Sequence, residues 1–341
     1  MKNRIVILVA VLFCSMFLAN APFDTGSIGK AWGEDLMTLR YGQNAANARS
    51  LSSLPLSMAQ RKGFLVREGI NLTLIPIAGG TDNMVAALDA GTTDIVKTAT
   101  PYLIQAVLNK GSDSVAIASE TTNPVYSLIV RPEIKSFADL KGKVIGFSTP
   151  GDTITISTRK LLTLKGVKPS DYQAKELVGT PARFDCVKTG ECAAVPMGEP
   201  EDFGAIEKGF PSLGITNDVT GDLVFNVTAV SRAWGEKHKD VLVRFNRAMA
   251  ASFKYIRDPA NREEMTTIVM EITGVSRDVA AKAFAPYLDP DKHVLPKQGE
   301  LNMNALTQVI ALMGEAGVVP NPLPSPERFV DLQYLKAAGI Q

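Results

Sequence analysis

The 341-residue sequence predicts an α/β protein made of two lobes of similar construction. Three observations carry this. Short β-rich runs alternate with helical segments of about a dozen residues from Met37 onward, the pattern of parallel β-α units. Two long β-rich runs, VYSLIVRP and LVFNVTAVSR, bracket a second such series. ALDAGTTDIVKTATP (Ala87 to Pro101) is echoed by CVKTGECAAVPMGEP (Cys186 to Pro200), with Gly91 and Gly190, then Pro101 and Pro200, at matching places. Each copy reads as helix end, glycine stop, short strand, loop and proline-started helix.

Thr38 to Gly42 reads as the first strand, and Ser53-Leu54-Pro55 opens a helix through Gln60, with Ser53 as N-cap and proline in the first turn. NLTLIPI is a second strand, followed by Gly79-Gly80-Thr81 and the helix DNMVAALDA, closed by Gly91. Asp94 to Lys97 is a third strand, Pro101 starts a helix, and SVAIAS is a fourth strand. After VYSLIVRP come KVIGF, a helix beyond Gly151, KELVG, a helix at 182–188, AAVP, a helix near 201–208 and LGIT. Beyond LVFNVTAVSR the chain turns helical, over 237–257, 262–272, 276–287, 303–315 and 327–338. Val241, Phe245, Met249 and Phe253 recur at helical spacing, as on a core-facing stripe.

Lys2 and Arg4 precede a short apolar run, Ile5 to Leu18, and then Ala19-Asn20-Ala21. This reads as a secretory leader over 1–31, cut somewhere between 21 and 31; the run is short for a membrane anchor, the alternative reading. A formal charge of +1, with no basic stripe among aromatics, gives no reason to expect nucleic acid. Without the leader two cysteines remain, Cys186 and Cys192, which in an oxidising compartment are candidates for a disulfide or for two inert buried thiols. His238 and His293 lie far from both in sequence, and no metal or cofactor is expected.

AQRKGFLVREGINLTLIPIAGG, ALDAGTTDIVKTATP, IKSFADLKGKVIGFSTPGDT, GVKPSDYQ and FVDLQYLKAAG occur in an order and spacing that resemble the nitrate/sulfonate/taurine-type periplasmic binding proteins. Those proteins in turn resemble thiamine-pyrimidine synthases. The likeness runs from about Met37 to the C-terminus. It implies a type II periplasmic-binding-protein fold, two α/β lobes joined by two crossover strands, here VYSLIVRP and LVFNVTAV. It also implies a monomeric receptor that closes on a small organic ligand and presents it to an ABC permease in the inner membrane. Lobe one would take 36–127 with 228–341, and lobe two 128–227.

On this fold the cleft is lined by loops at the carboxyl ends of strands. The ligand-binding candidates in the first lobe are Gln43, Asn44, Gly80, Thr81, Thr100, Thr122 and Asn123. In the second they are Thr149, Gly151, Asp152, Thr153, Met197 and Glu199. The family often binds oxyanions, which suit free helix N-termini. Here Asp152 stands where small neutral residues would leave amides free; as an N-cap it takes up those donors and adds negative charge. Glu199 acts in the same sense, and the candidate loops contain no arginine or lysine. The expected ligand is therefore an organic molecule, a heterocycle or an amine, rather than a simple inorganic anion. The sequence has no G-x-S-x-G, P-loop or H-E-x-x-H motif, and no histidine near either cysteine. A receptor is expected before an enzyme. A sensor for a membrane kinase is the next reading, and a pyrimidine-synthase-like enzyme comes after it.

Overall fold

The computed structural model describes residues 36–44, 48–123 and 125–341; the expected leader lies outside the described residues. Two five-stranded sheets organise the chain. The first contains β1 (Met37–Gln43), β2 (Ile70–Pro76), β3 (Ile95–Ala99), β4 (Ser114–Thr121) and β10 (Asn226–Ser231), in the order β2-β1-β3-β10-β4. The second contains β5 (Tyr126–Val130), β6 (Val144–Phe147), β7 (Gln173–Glu176), β8 (Ala194–Gly198) and β9 (Ser212–Ile215), in the order β7-β6-β8-β5-β9.

The two orders are the same pattern. Three strands run parallel through β1 or β6, and the fourth position holds an antiparallel strand, β10 or β5, which arrives by crossing from the other series. The expected α/β fold with two crossover strands is what the chain adopts. Parallel neighbours need crossover connections, and the helices that provide them cover the sheet faces.

In the first lobe, α1 (Leu54–Arg61), α2 (Asn83–Asp89) and α3 (Thr100–Asn109) follow β1, β2 and β3. In the second, α4 (Thr153–Leu164), α5 (Thr180–Thr189) and α6 (Glu201–Glu207) follow β6, β7 and β8. The C-terminal helices α7 (Lys239–Arg257), α8 (Arg262–Thr273), α9 (Arg277–Leu288) and α10 (Met303–Glu315) complete the chain's larger elements. α7 buries Val241, Leu242, Phe245, Met249, Phe253 and Ile256 along one stripe, in one cluster with Leu39, Tyr41 and Leu54 of the first lobe. Burying such side chains is worth about 1.5–3 kcal/mol each before the entropy of ordering them is counted.

Three local expectations change. Ser53 does not cap α1: it has helical dihedrals and closes a preceding 3-10 turn, its hydroxyl donating to the Ser50 carbonyl at 2.9 Å. The helix expected over 237–257 is broken at His238, whose ring stacks on Trp234 at 4.1 Å. The helix expected over 327–338 becomes a 3-10 turn, a bridge from Val330 to Ala116 and a five-residue helix. The Asp331 amide donates to the Ala116 carbonyl, so backbone pairing to edge strand β4 outcompetes helical continuity there. Cys186 and Cys192 form a disulfide, with Cα atoms 5.2 Å apart, inside the apolar cluster of Ile129, Val187, Val195 and Met197.

Candidate functional site

A cavity of about 810 Å³ opens between the two sheets. Loops from both lobes line it, at the ends where parallel strands give way to helices. The first lobe supplies Asn44 after β1, Gly80, Thr81 and Asp82 after β2, Tyr102 and Gln105 on α3, and Asn123 after β4. The second supplies Ser148, Thr149 and Asp152 after β6, Gly179, Thr180 and Arg183 after β7, and Glu199 and Glu201 after β8. Tyr126 and Phe225, beside the two crossover strands, meet edge to face at 5.8 Å and also line it, with Tyr287 of α9.

Of the residues expected to bind ligand, Asn44, Gly80, Thr81, Asn123, Thr149, Asp152 and Glu199 lie on the cavity wall. Gln43, Thr100, Thr122, Gly151, Thr153 and Met197 do not. Gln43 ends β1 half-buried, and the Thr122 hydroxyl donates to the His293 carbonyl. Thr100 and Thr153 are buried first residues of α3 and α4. Met197 is 1% exposed and belongs to the core around the disulfide. Gly151 is packed against the first lobe: an added Cβ would stand 2.7 Å from Gln105 Nε2 and 3.1 Å from Val318 Cγ1.

Asp152 does cap α4. Its Oδ1 accepts from the Ile154 amide at 3.2 Å, and its Oδ2 accepts from the Ser148 hydroxyl at 2.7 Å. Across the cleft, the Tyr102 and Thr149 hydroxyls are hydrogen-bonded at 3.1 Å. Burial, with Asp152 nearby, pushes the Tyr102 hydroxyl well above the usual phenol range, so it stays protonated and able to donate.

The candidate loops hold no arginine or lysine, but two basic residues outside them, Arg183 within α5 and Lys110 at the end of α3, also line the cavity. Arg183 is 5% exposed and sits one turn into α5. Nε donates to the Pro196 carbonyl at 2.8 Å, Nη1 to the Leu177 carbonyl at 3.3 Å and Nη2 to the Thr180 hydroxyl at 3.2 Å. Its partners are therefore neutral; burial lowers its guanidinium from the ordinary value, and the nearby acidic groups, Asp152 first, offset only part of that. The sequence did carry a signal. Thr180, Gly190 and Pro200 repeat the spacing of Thr81, Gly91 and Pro101, which marks the loop after β7 as the counterpart of the one after β2.

Glu199 is 9% exposed and reaches the cavity with no hydrogen-bond partner among the described residues. Burial first, and then the Asp202 carboxylate, push its carboxyl well above the usual glutamate range. Asp202 is itself held by the Ser127 hydroxyl at 2.6 Å and the Phe203 amide at 2.8 Å. Among the described residues no group of three or more His, Cys, Asp or Glu side chains could hold a metal ion.

Comparison with known proteins agrees with this architecture. Residues 51–261 match the family described as NMT1/THI5 like. A putative binding protein of Bacillus subtilis, YtlA, is 20% identical over 292 residues, covering 84% of this chain and 86% of that one. The 4-amino-5-hydroxymethyl-2-methylpyrimidine phosphate synthase of Schizosaccharomyces pombe is 30% identical over 123 residues, covering 36% of this chain and 34% of that one. The ligand-binding component of an ABC-type import system from Staphylococcus aureus, solved with zinc bound, superposes with a TM-score of 0.73 at 18% identity. That superposition covers 89% of this chain and 99% of the other.

Proposed function

The chain belongs to the NMT1/THI5-like family, and on that premise we propose that it is an exported receptor of an ABC-type importer. It captures a small organic solute between its two lobes and delivers it to an inner-membrane permease. The observation that carries this reading is the cavity itself, walled by strand-end loops of both sheets. A solute there touches both walls. It favours the closed form by as much as its contacts across the cleft exceed those it makes with one open lobe.

The cavity's size and chemistry support an organic ligand. About 810 Å³ is far more than a bare inorganic oxyanion fills, and it lies within the range of small-molecule sites. Tyr102, Tyr126, Phe225 and Tyr287 offer aromatic faces, while Asp152 already occupies the Ile154 amide in the first turn of α4. A synthase is the less supported reading, because neither histidine nor either cysteine lines the cavity among the described residues.

A thermal-shift screen of the purified mature protein against organic acids, amino acids, amines and heterocycles tests the proposal, since a ligand selective for the native state raises its midpoint. At least one organic class is expected to do so. Tight calorimetric binding of nitrate, sulfate or taurine would overturn the ligand class.

A further inference from the structure

Glu199 is an unusual side chain to find on a ligand-facing wall. It is 9% exposed, its carboxyl meets the cavity, and no described residue donates to it. An ionised carboxylate in that position has little water and no hydrogen-bond or cationic partner, which disfavours the charged form. The groups around it do not supply the missing charge. On its own loop and helix stand Glu201 and Asp202, both acidic, and Asp202 raises the cost of ionising Glu199. From β5 come Ser127, whose hydroxyl is committed to Asp202, and Tyr126. From α9 comes Tyr287, whose buried phenol is pushed up by burial first and then by Glu199. The cation on this wall, Arg183 of α5, is tied to Pro196, Leu177 and Thr180, and its acidic neighbours are Asp152 and Glu201.

We propose that Glu199 selects the solute by taking a protonated amine or amidinium in exchange for its own proton, so that capture is linked to pH. The proposal rests on the receptor reading above and specifies what the receptor holds. In the empty cavity burial, and then the Asp202 carboxylate, favour the neutral carboxyl. A cation entering beside it offsets the desolvation of the carboxylate, the O–H bond breaks, and the proton leaves to solvent: carboxylic acid plus ammonium gives the carboxylate–ammonium pair plus one proton. Aromatic faces from Tyr102, Tyr126 and Tyr287 suit the same cation. One proton released per solute makes affinity rise about tenfold per pH unit until the free carboxyl ionises on its own.

The test uses the mature protein and Glu199→Gln, a neutral side chain of the same shape that mimics the protonated state. Thermal-shift and calorimetric titrations with benzylamine and benzamidine, their uncharged counterparts benzyl alcohol and benzamide, and benzoate are run at about pH 5.5 and about pH 8. The cations are expected to bind, more tightly at the higher pH, with calorimetric heats that depend on the buffer's ionisation enthalpy. Glu199→Gln should melt no lower than the parent protein without solute and should lose the pH slope of binding. The inference is overturned if benzyl alcohol, benzamide or benzoate binds as well as the cations, or if Glu199→Gln keeps the slope; in both cases the receptor reading stands. A panel in which nothing moves the midpoint counts against the receptor reading and takes this inference with it.

Discussion

Lys97 and Glu120, in the first lobe, have 2% and 1% side-chain exposure and lie 3.8 Å apart. Glu120 also accepts from Tyr41 at 2.9 Å and Thr228 at 2.7 Å, and Lys97 donates to the Ser52 carbonyl. In the second lobe Arg183 is bound to neutral groups alone and Glu199 to none. The matching positions make the contrast sharper. The spacing that pairs Thr81 with Thr180 also pairs Met84 with Arg183 and Thr100 with Glu199. Met84 and Thr100 are buried, uncharged residues of the first lobe. One strand plan thus serves two purposes: the first lobe pairs Lys97 with Glu120 internally, and the second turns Arg183 and Glu199 toward the cavity. Buried charge that is internally paired stabilises position, whereas unpaired charge at a cavity wall is available to a ligand.

The largest expected effect comes from breaking the first lobe's pair. Lys97→Met leaves Glu120 buried beside no cation and should lower the unfolding free energy by about 3–5 kcal/mol; Lys97→Met with Glu120→Gln should recover much of it. Urea denaturation measures both. Equal losses in the single and double variants would mean that the pair matters through packing rather than charge.

The disulfide belongs to the second lobe alone. Serine at both Cys186 and Cys192 opens a small loop, with a sequence separation of 6, and should cost about 2 kcal/mol. Arg183→Met should cost less than Lys97→Met, about 1 kcal/mol, because it removes hydrogen bonds to neutral groups and also a desolvated cation. A loss as large as that of Lys97→Met would erase the contrast between the lobes.

Glu199 should show its setting in the pH dependence of stability. Its folded value is raised above the unfolded one, so the stability contributed by its protonated form is complete below the unfolded value and is lost as pH rises through the folded value. Glu199→Gln should match the parent protein near pH 4 and exceed it increasingly toward pH 8, in melts without added solute. A constant gap would show an ordinary, solvated carboxyl. The smallest effect is at the contact between lobes. Tyr102→Phe removes the hydroxyl that meets Thr149 and should weaken closure by about 1 kcal/mol, read as a larger solution radius of gyration with solute present.

The fold was legible because glycine stops, proline starts and short β-rich runs are local signals, and each sheet is built from them in order. Half of the site was legible for the same reason: loops at strand ends could be placed once the strands were. Thr122 and Met197 could not be sorted in this way. Nothing in the local sequence says that one hydroxyl turns to the His293 carbonyl, or that the other side chain joins the core around the disulfide. Arg183 was missed because it was read as part of a helix rather than as part of a cavity loop. Tyr287 was missed for a different reason: it comes from a helix far along the chain, whose amphipathic stripe announces core packing and says nothing about the cleft it also reaches.

β10 lies between β3 and β4 in the first sheet, although it is the last strand of the chain. During synthesis, then, β1 to β4 emerge while the position between β3 and β4 is still vacant, and the sheet cannot close. All five strands of the second sheet fall within residues 126–215 and can pair before that gap is filled. A nascent chain that has reached residue 220 holds one complete sheet and one missing an interior strand. The lobe that begins first is the one that finishes last.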